Sequence, residues 1–100
     1  MVFFSTILTP TAANVPQPLM TNKIGITRAT QIQISIRSMG TATYIGVGGT
    51  DTQDRRLTAV GENIGMDTPL GKRYLDLRTL FIVSDANDAV IEIIGDSHND

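Results

Sequence analysis

The 100-residue sequence contains no cysteine and no tryptophan, and it has a single histidine, His98. Without thiols the chain cannot form a disulfide or a thiolate metal site, and one imidazole cannot build a histidine metal cluster. Strong charge of either sign is also lacking, since 8 basic residues are balanced by 10 acidic ones. Nucleic-acid binding depends on clustered cations, so we expect no nucleic-acid partner. The lack of thiols and of a second imidazole leads us to expect no bound metal.

Long apolar runs are missing, and no stretch approaches the roughly 20 residues that a membrane span requires. The N-terminal stretch VFFSTILTPTAA is apolar and then small, but it has no positive flank and its apolar part is short. We therefore expect mature protein rather than a cleaved export signal, and no membrane partner. Aromatic residues make up only 5% of a chain that is 41% hydrophobic, so the core must be aliphatic, which favours strands.

A period of two is clearest in ATQIQISIR, residues 29–37, where Ile32, Ile34 and Ile36 alternate with polar residues. This pattern predicts a strand with one buried face. The following SMGT is typical of a turn, and we predict that ATYIGV, residues 42–47, is the hairpin partner of that strand. Further short strands are predicted at residues 57–60, 63–67, 73–77, 80–84 and 89–95.

No window shows a 3.6-residue apolar stripe, so the sequence predicts an all-β fold. We expect a single antiparallel β-sandwich or barrel-like domain of about seven or eight short strands, over residues 23–96. A flexible tail is expected at residues 97–100.

The N-terminal residues 1–22 form either an extended arm or a first strand plus a connection, because their three prolines disfavour a helix. An arm would bury its apolar tip in a neighbouring molecule, whereas a first strand would bury it in the domain's own sheet. The apolar residues concerned are Val2, Phe3, Phe4, Ile7, Leu8, Leu19 and Met20.

The stretch TYIGVGGTDTQDRR, residues 43–56, places three glycines close to two arginines. A dinucleotide fingerprint would need glycine where Asp51 stands and an apolar helix afterwards, and a P-loop would need a Gly-Lys-Ser/Thr step. Nucleotide binding is therefore not expected. Instead, we expect Gly48 and Gly49 to supply positive φ in a turn or bulge, and Gly46 to let another backbone come close.

Other candidate sites are weaker. The turn at residues 85–88 begins like a calcium loop but has no glycine where that loop needs one. Asp76 and Glu92 could be paired carboxylates, although we expect them to face solvent or to meet Arg73 and Arg78 across strands. No serine or threonine has a histidine base near it in sequence. We expect no catalytic residue, no cofactor and no enzymatic activity.

The polar loop after the glycines is a candidate contact surface. Its mixed charges suit hydrogen bonds between proteins, although an ordinary solvated loop is an equally valid interpretation. The residues concerned are Asp51, Asp54, Arg55 and Arg56.

Residues 44–69, YIGVGGTDTQDRRLTAVGENIGMDTP, combine a Y-I-G strand, a polar loop, and Leu57 followed by a Gly-Glu step. This arrangement resembles the central hairpin of small β-sandwich proteins encoded in the structural gene clusters of tailed bacteriophages. The flanking RATQIQISIRS and LFIVSDANDAVIEIIGD are similar too, so the resemblance covers about residues 27–96.

The resemblance implies a non-enzymatic virion component, a capsid decoration or cement protein without cofactor. Its partners would be the major capsid protein or other virion proteins, and it would act as a homo-oligomer or in many copies within the virion. No binding residue transfers by motif, so the apolar N-terminal residues and the polar loop are expected contacts on physical grounds. The alternative is a tail or fibre component that binds a host glycan, which the low aromatic content disfavours.

Overall fold

The computed structural model describes residues 2–19, 27–49 and 52–98. It confirms the all-β prediction, with nine strands in two antiparallel sheets. Within these ranges the helical structure is limited to a 3-10 turn at Leu77–Thr79. The strands are β1 (Val2–Leu8), β2 (Gln17–Pro18), β3 (Arg28–Ser38), β4 (Ile45–Gly48), β5 (Arg55–Leu57), β6 (Asn63–Asp67), β7 (Leu75–Asp76), β8 (Phe81–Ser84) and β9 (Val90–Ser97).

The first sheet, sheet A, is built around the two long strands β3 and β9. Its order is β1-β9-β3-β6, and β7 pairs with the beginning of β3. Ile34 lies opposite Ile93 and Ile36 lies opposite Ile91, so the buried faces of the two strands coincide. The alternation seen in the sequence therefore sets the register, because a slip of one residue would turn every isoleucine outward.

The second sheet, sheet B, contains shorter strands in the order β2-β8-β4-β5. Ile45 lies opposite Leu57 in the β4–β5 hairpin, and Val47 lies opposite Ile82 across β4 and β8. The inward side chains of both sheets form one aliphatic core. Its fully buried large residues are Leu19, Ile34, Ile45, Val47, Leu77, Ile82, Ile91 and Ile93.

The predicted hairpin between residues 29–37 and 42–47 is wrong, because β3 and β4 belong to different sheets. β4 pairs with β5 and β8, and the turn after β3 carries the chain across the sandwich. Two carboxylates of the β8–β9 turn hold this crossing. Asp88 accepts a hydrogen bond from the Thr41 N–H at 3.0 Å, and Asp85 accepts one from the Thr43 N–H at 2.8 Å.

Most of the other predicted segments differ in extent from the observed ones, and three of them differ in a way that matters for the fold. The strand predicted at 57–60 begins earlier and ends at Leu57, and the one predicted at 73–77 contains only Leu75 and Asp76. Asp76 then caps the 3-10 turn by accepting from the Arg78 N–H, which ends the strand. The predicted tail also starts too early, since Ser97 belongs to β9.

Candidate protein-interaction surface

The pairing of strand β1 decides between the two interpretations of the N-terminal residues. It pairs with β9 along its whole length, from Val2 opposite Ser97 to Leu8 opposite Ile91. Residues 2–8 are thus the first strand of the domain's own sheet. Within the described ranges, no strand pairs with the other edge of β1, so its outward N–H and C=O groups face away from the sheet.

Alternation divides the side chains of β1 into two sets. Phe4 and Leu8 point into the core and are 9% and 8% exposed, whereas Phe3 and Ile7 lie on the opposite face and are 67% and 55% exposed. Leu19 is also in the core at 1% exposure, and its N–H donates to the Leu80 carbonyl at 2.8 Å.

These positions correct the predicted interface. Phe4, Leu8 and Leu19 stabilise the domain itself and offer a partner little surface while it is folded. Phe3 and Ile7 keep the exposure that a contact requires. Met20, Asp51 and the side chain of Val2 lie outside the described part of the structure.

The outer face of sheet A extends the exposed surface of β1 across the neighbouring strands. A shallow groove of about 490 Å³ crosses it. The Gln31 side-chain amide donates to the Asp96 carboxylate at 3.0 Å, and Gly65 leaves a notch, since no heavy atom lies within 4 Å of where its Cβ would be. Residues opposite each other from β1 to β6 form three rows, Phe3-Asp96-Gln31-Asp67, Ser5-Ile94-Gln33-Gly65 and Ile7-Glu92-Ser35-Asn63.

The glycine-rich stretch forms the β4–β5 hairpin. A Cβ on Gly46 would lie 2.6 Å from the Gln53 carbonyl oxygen, so the prediction of a close backbone approach there is confirmed. Gly48 is crowded in the same way by Thr52, and neither Gly48 nor Gly49 has a positive φ, so that part of the prediction is wrong. Residues 52 and 53 therefore pack closely over β4, and glycine at positions 46 and 48 leaves the space that this packing needs.

The charged end of this hairpin lies at the far edge of sheet B. Asp54, Arg55 and Arg56 are exposed. The Arg56 guanidinium lies 4.2 Å from the centre of the Tyr44 ring, a cation–π contact that holds one of the two arginines over the sheet. The exposed residues of the predicted loop surface therefore lie on the other sheet from Phe3 and Ile7, and a contact through them stays a prediction.

The carboxylates of Asp76, Asp85 and Asp88 have structural partners. Asp85 and Asp88 bind Thr43 and Thr41, and these hydrogen bonds to the charged forms lower the pKa of both carboxyl groups. Asp76 pairs with Arg78 at 3.0 Å two residues further along the chain rather than across strands.

Two side chains in and just after β9 also have partners that the sequence did not indicate. Glu92 lies 3.8 Å from Arg37 of the neighbouring strand β3. His98 packs on the Tyr74 ring with 5.5 Å between ring centres, so it is not part of a free tail. The Arg28 guanidinium lies 4.7 Å from the centre of the same tyrosine ring. Contacts of this kind join residues far apart in sequence, and no local motif predicts them.

In the ranges that the structure covers, no three acidic or histidine side chains come close enough together to hold a metal ion. No helix in those ranges is long and apolar enough to cross a membrane.

Over the residues that the structure describes, the fold and the surface define a small two-sheet, all-β protein in which β1 is an exposed apolar edge. Comparison with known families finds no family model that matches the chain, and no curated protein is significantly similar to it in sequence.

Proposed function

We propose that this protein is a non-enzymatic structural component of a tailed-bacteriophage virion, a capsid decoration or cement protein. The sequence resemblance over about residues 27–96 suggests the virion. One structural observation supports a role in protein contacts: β1 is an exposed edge strand that carries Phe3 and Ile7 on its outer face. An uncharged strand of this kind can add to the sheet of another protein.

The contact surface proposed here is narrower than the sequence suggested. It consists of the free edge of β1 with Phe3 and Ile7, and the rows of the outer face of sheet A next to them. Burial of these two side chains would add hydrophobic stabilisation to the backbone hydrogen bonds of the edge. Deleting residues 1–20 would be a poor test, because it would also remove Phe4, Leu8 and Leu19 from the core.

The test is incorporation into virions assembled without the protein. Purified wild-type protein is added to such particles and sedimented with them, in parallel with the double variant Phe3→Ser/Ile7→Ser. We expect wild-type protein to bind in many copies per particle and the variant to bind about tenfold more weakly or worse.

The matched control is Val60→Ser/Leu70→Ser, which removes two exposed apolar side chains from turns away from β1. It should bind like wild type. Wild-type protein that stays in the supernatant would refute the virion assignment, and equal binding of the two double variants would refute the contact surface.

The groove on the outer face of sheet A favours a second candidate, a tail or fibre component that binds a host glycan. Its amides and carboxylates can bond hydroxyl groups, and the exposed Phe3 ring can stack on a sugar. Binding of soluble host polysaccharide that Asp67→Ala abolishes, with particle incorporation of that variant unchanged, would support this candidate over a cement role.

A further inference from the structure

The edge strands of the two sheets differ in how they are protected against pairing with another chain. β2 contains Pro18, β5 exposes Arg55 and Arg56, β6 ends at Asp67, and β7 contains Asp76. Proline and charged side chains are the usual means by which native proteins blunt a sheet edge. Each of these strands is also short, between 2 and 5 residues.

β1 has none of these protections. Its seven residues, VFFSTIL, include no charge and no proline. They pair with β9 one to one, without a bulge. Two of its outward side chains, Phe3 and Ile7, are large, apolar and mostly exposed. An uncharged edge of this length is a template for a further strand, and the exposed apolar pair indicates that the added strand is itself apolar.

Two copies of β1 placed antiparallel to each other would bring favourable side-chain pairs together. In an antiparallel pair of two copies centred on Ser5, each Phe3 would lie opposite Ile7 of the other copy, and the two serines would face each other. An aromatic residue beside a β-branched one is a favourable cross-strand pair, and no like charges would be opposed. On the inner face of the sheets, Phe4 would lie opposite Thr6 of the second copy and lose its remaining exposure.

We propose that β1 pairs antiparallel with β1 of a second copy about a two-fold axis at Ser5, which joins the two A sheets into one. A seven-residue pair of this type supplies about six to eight backbone hydrogen bonds. The dimer is isologous, so each copy offers the same surface. This inference rests on the proposed function and changes one part of it: the backbone edge of β1 is taken by the second copy, so the outer face of the joined A sheets, with Phe3 and Ile7, is left to contact the virion.

The first test places charge at the axis. Ser5 is exposed, so Ser5→Lys should fold normally while setting two ammonium groups opposite each other in the dimer. By analytical ultracentrifugation, wild-type protein should be a dimer and the lysine variant should dimerise about tenfold more weakly or worse. Mixing Ser5→Lys with Ser5→Glu should restore a dimer that contains one of each. Thermal melting checks that every variant is folded.

The second test uses the fact that the natural chain has no cysteine. Paired residues in an antiparallel ladder have Cα atoms about 4.5–5.5 Å apart, within the range that a disulfide spans. Ser5→Cys should therefore form a covalent dimer on mild oxidation much faster than Val60→Cys, which places a cysteine in an exposed turn. Equal rates would contradict an axis at this residue.

A monomeric wild-type protein, a lysine variant that dimerises as well as wild type, or a mixture that forms no mixed dimer would overturn the proposal. The outcome is separable from the proposed function. A dimer that does not bind virions would refute the virion assignment alone, and a monomer that binds them would refute the dimer alone.

Discussion

The two sheets of this molecule are held together in different ways. In sheet A, β3 and β9 are 11 and 8 residues long, and their ladder is regular from Gln31 to Ile36, where isoleucines oppose each other. In the described part of sheet B the strands are 2 to 4 residues long. There, a loop packs against Gly46. Where the chain crosses from one sheet to the other, Asp88 accepts a hydrogen bond from Thr41 and Asp85 accepts one from Thr43. We call these two carboxylates and their hydrogen bonds the clasp. Both sheets thus share one aliphatic core, but sheet B has shorter ladders and adds close backbone contacts and side-chain hydrogen bonds to that packing.

The largest effect should come from the volume of sheet A. Ile93 is fully buried and lies opposite both Ile34 and Thr6. We expect Ile93→Ala to lower the free energy of unfolding by about 2–5 kcal/mol, because it removes buried methyl groups and leaves a cavity. Urea denaturation measures the loss. Ile7→Ala, on the exposed face of the same sheet, should cost less than about 0.5 kcal/mol in a monomer. Similar losses for the two variants would contradict the assigned inner and outer faces.

A medium effect on the free energy of unfolding should come from replacing a glycine by alanine. The replacement should destabilise the protein in sheet B and stabilise it in sheet A. Gly46→Ala would force a Cβ to within 2.6 Å of the Gln53 carbonyl oxygen, and we expect a loss of about 1–3 kcal/mol. Gly65→Ala in β6 meets nothing within 4 Å and should stabilise by about 0.4–1 kcal/mol, because alanine restricts the unfolded chain. Both values come from denaturant unfolding. A neutral Gly46→Ala would mean that the loop does not pack on β4.

The same contrast explains what could be predicted from the sequence. Ile32, Ile34 and Ile36 alternate strictly, so the strand, its buried face and the all-β class follow from local pattern. The partner of the strand at Ile45 does not, because its choice depends on Asp85 and on contacts some forty residues away in sequence.

The candidate surface was predicted only in part, for a related reason. Composition marked the residues of β1 as apolar, but both an arm and a first strand bury such residues. Only the pairing with β9 separates Phe3 and Ile7, which are exposed, from Phe4 and Leu8, which are not. The three-row outer face was equally hidden, because its members come from four strands that are distant in sequence.

The smallest effect concerns the clasp, and it depends on pH. The pKa values of Asp85 and Asp88 are lowered in the folded protein by hydrogen bonds from Thr43 and Thr41. Each carboxylate therefore stabilises the fold above its ordinary value of 3.8, and this contribution is lost as the pH falls through that value toward the lower folded one. We expect the melting temperature to drop in this window. Asp85→Asn/Asp88→Asn should melt lower than wild type at neutral pH and lose less on acidification.

Part of the acid effect should survive in that double variant. The pKa of Asp76 is lowered by Arg78, and that of Glu62 is lowered by Thr58, so both groups still release protons on folding. Asp76→Asn added to the double variant should therefore reduce the remaining pH dependence further. If the double variant loses stability with acid just as wild type does, the hydrogen bonds of Asp85 and Asp88 do not stabilise the crossing between the sheets. Core packing and the backbone contacts of β4 would then hold sheet B in place.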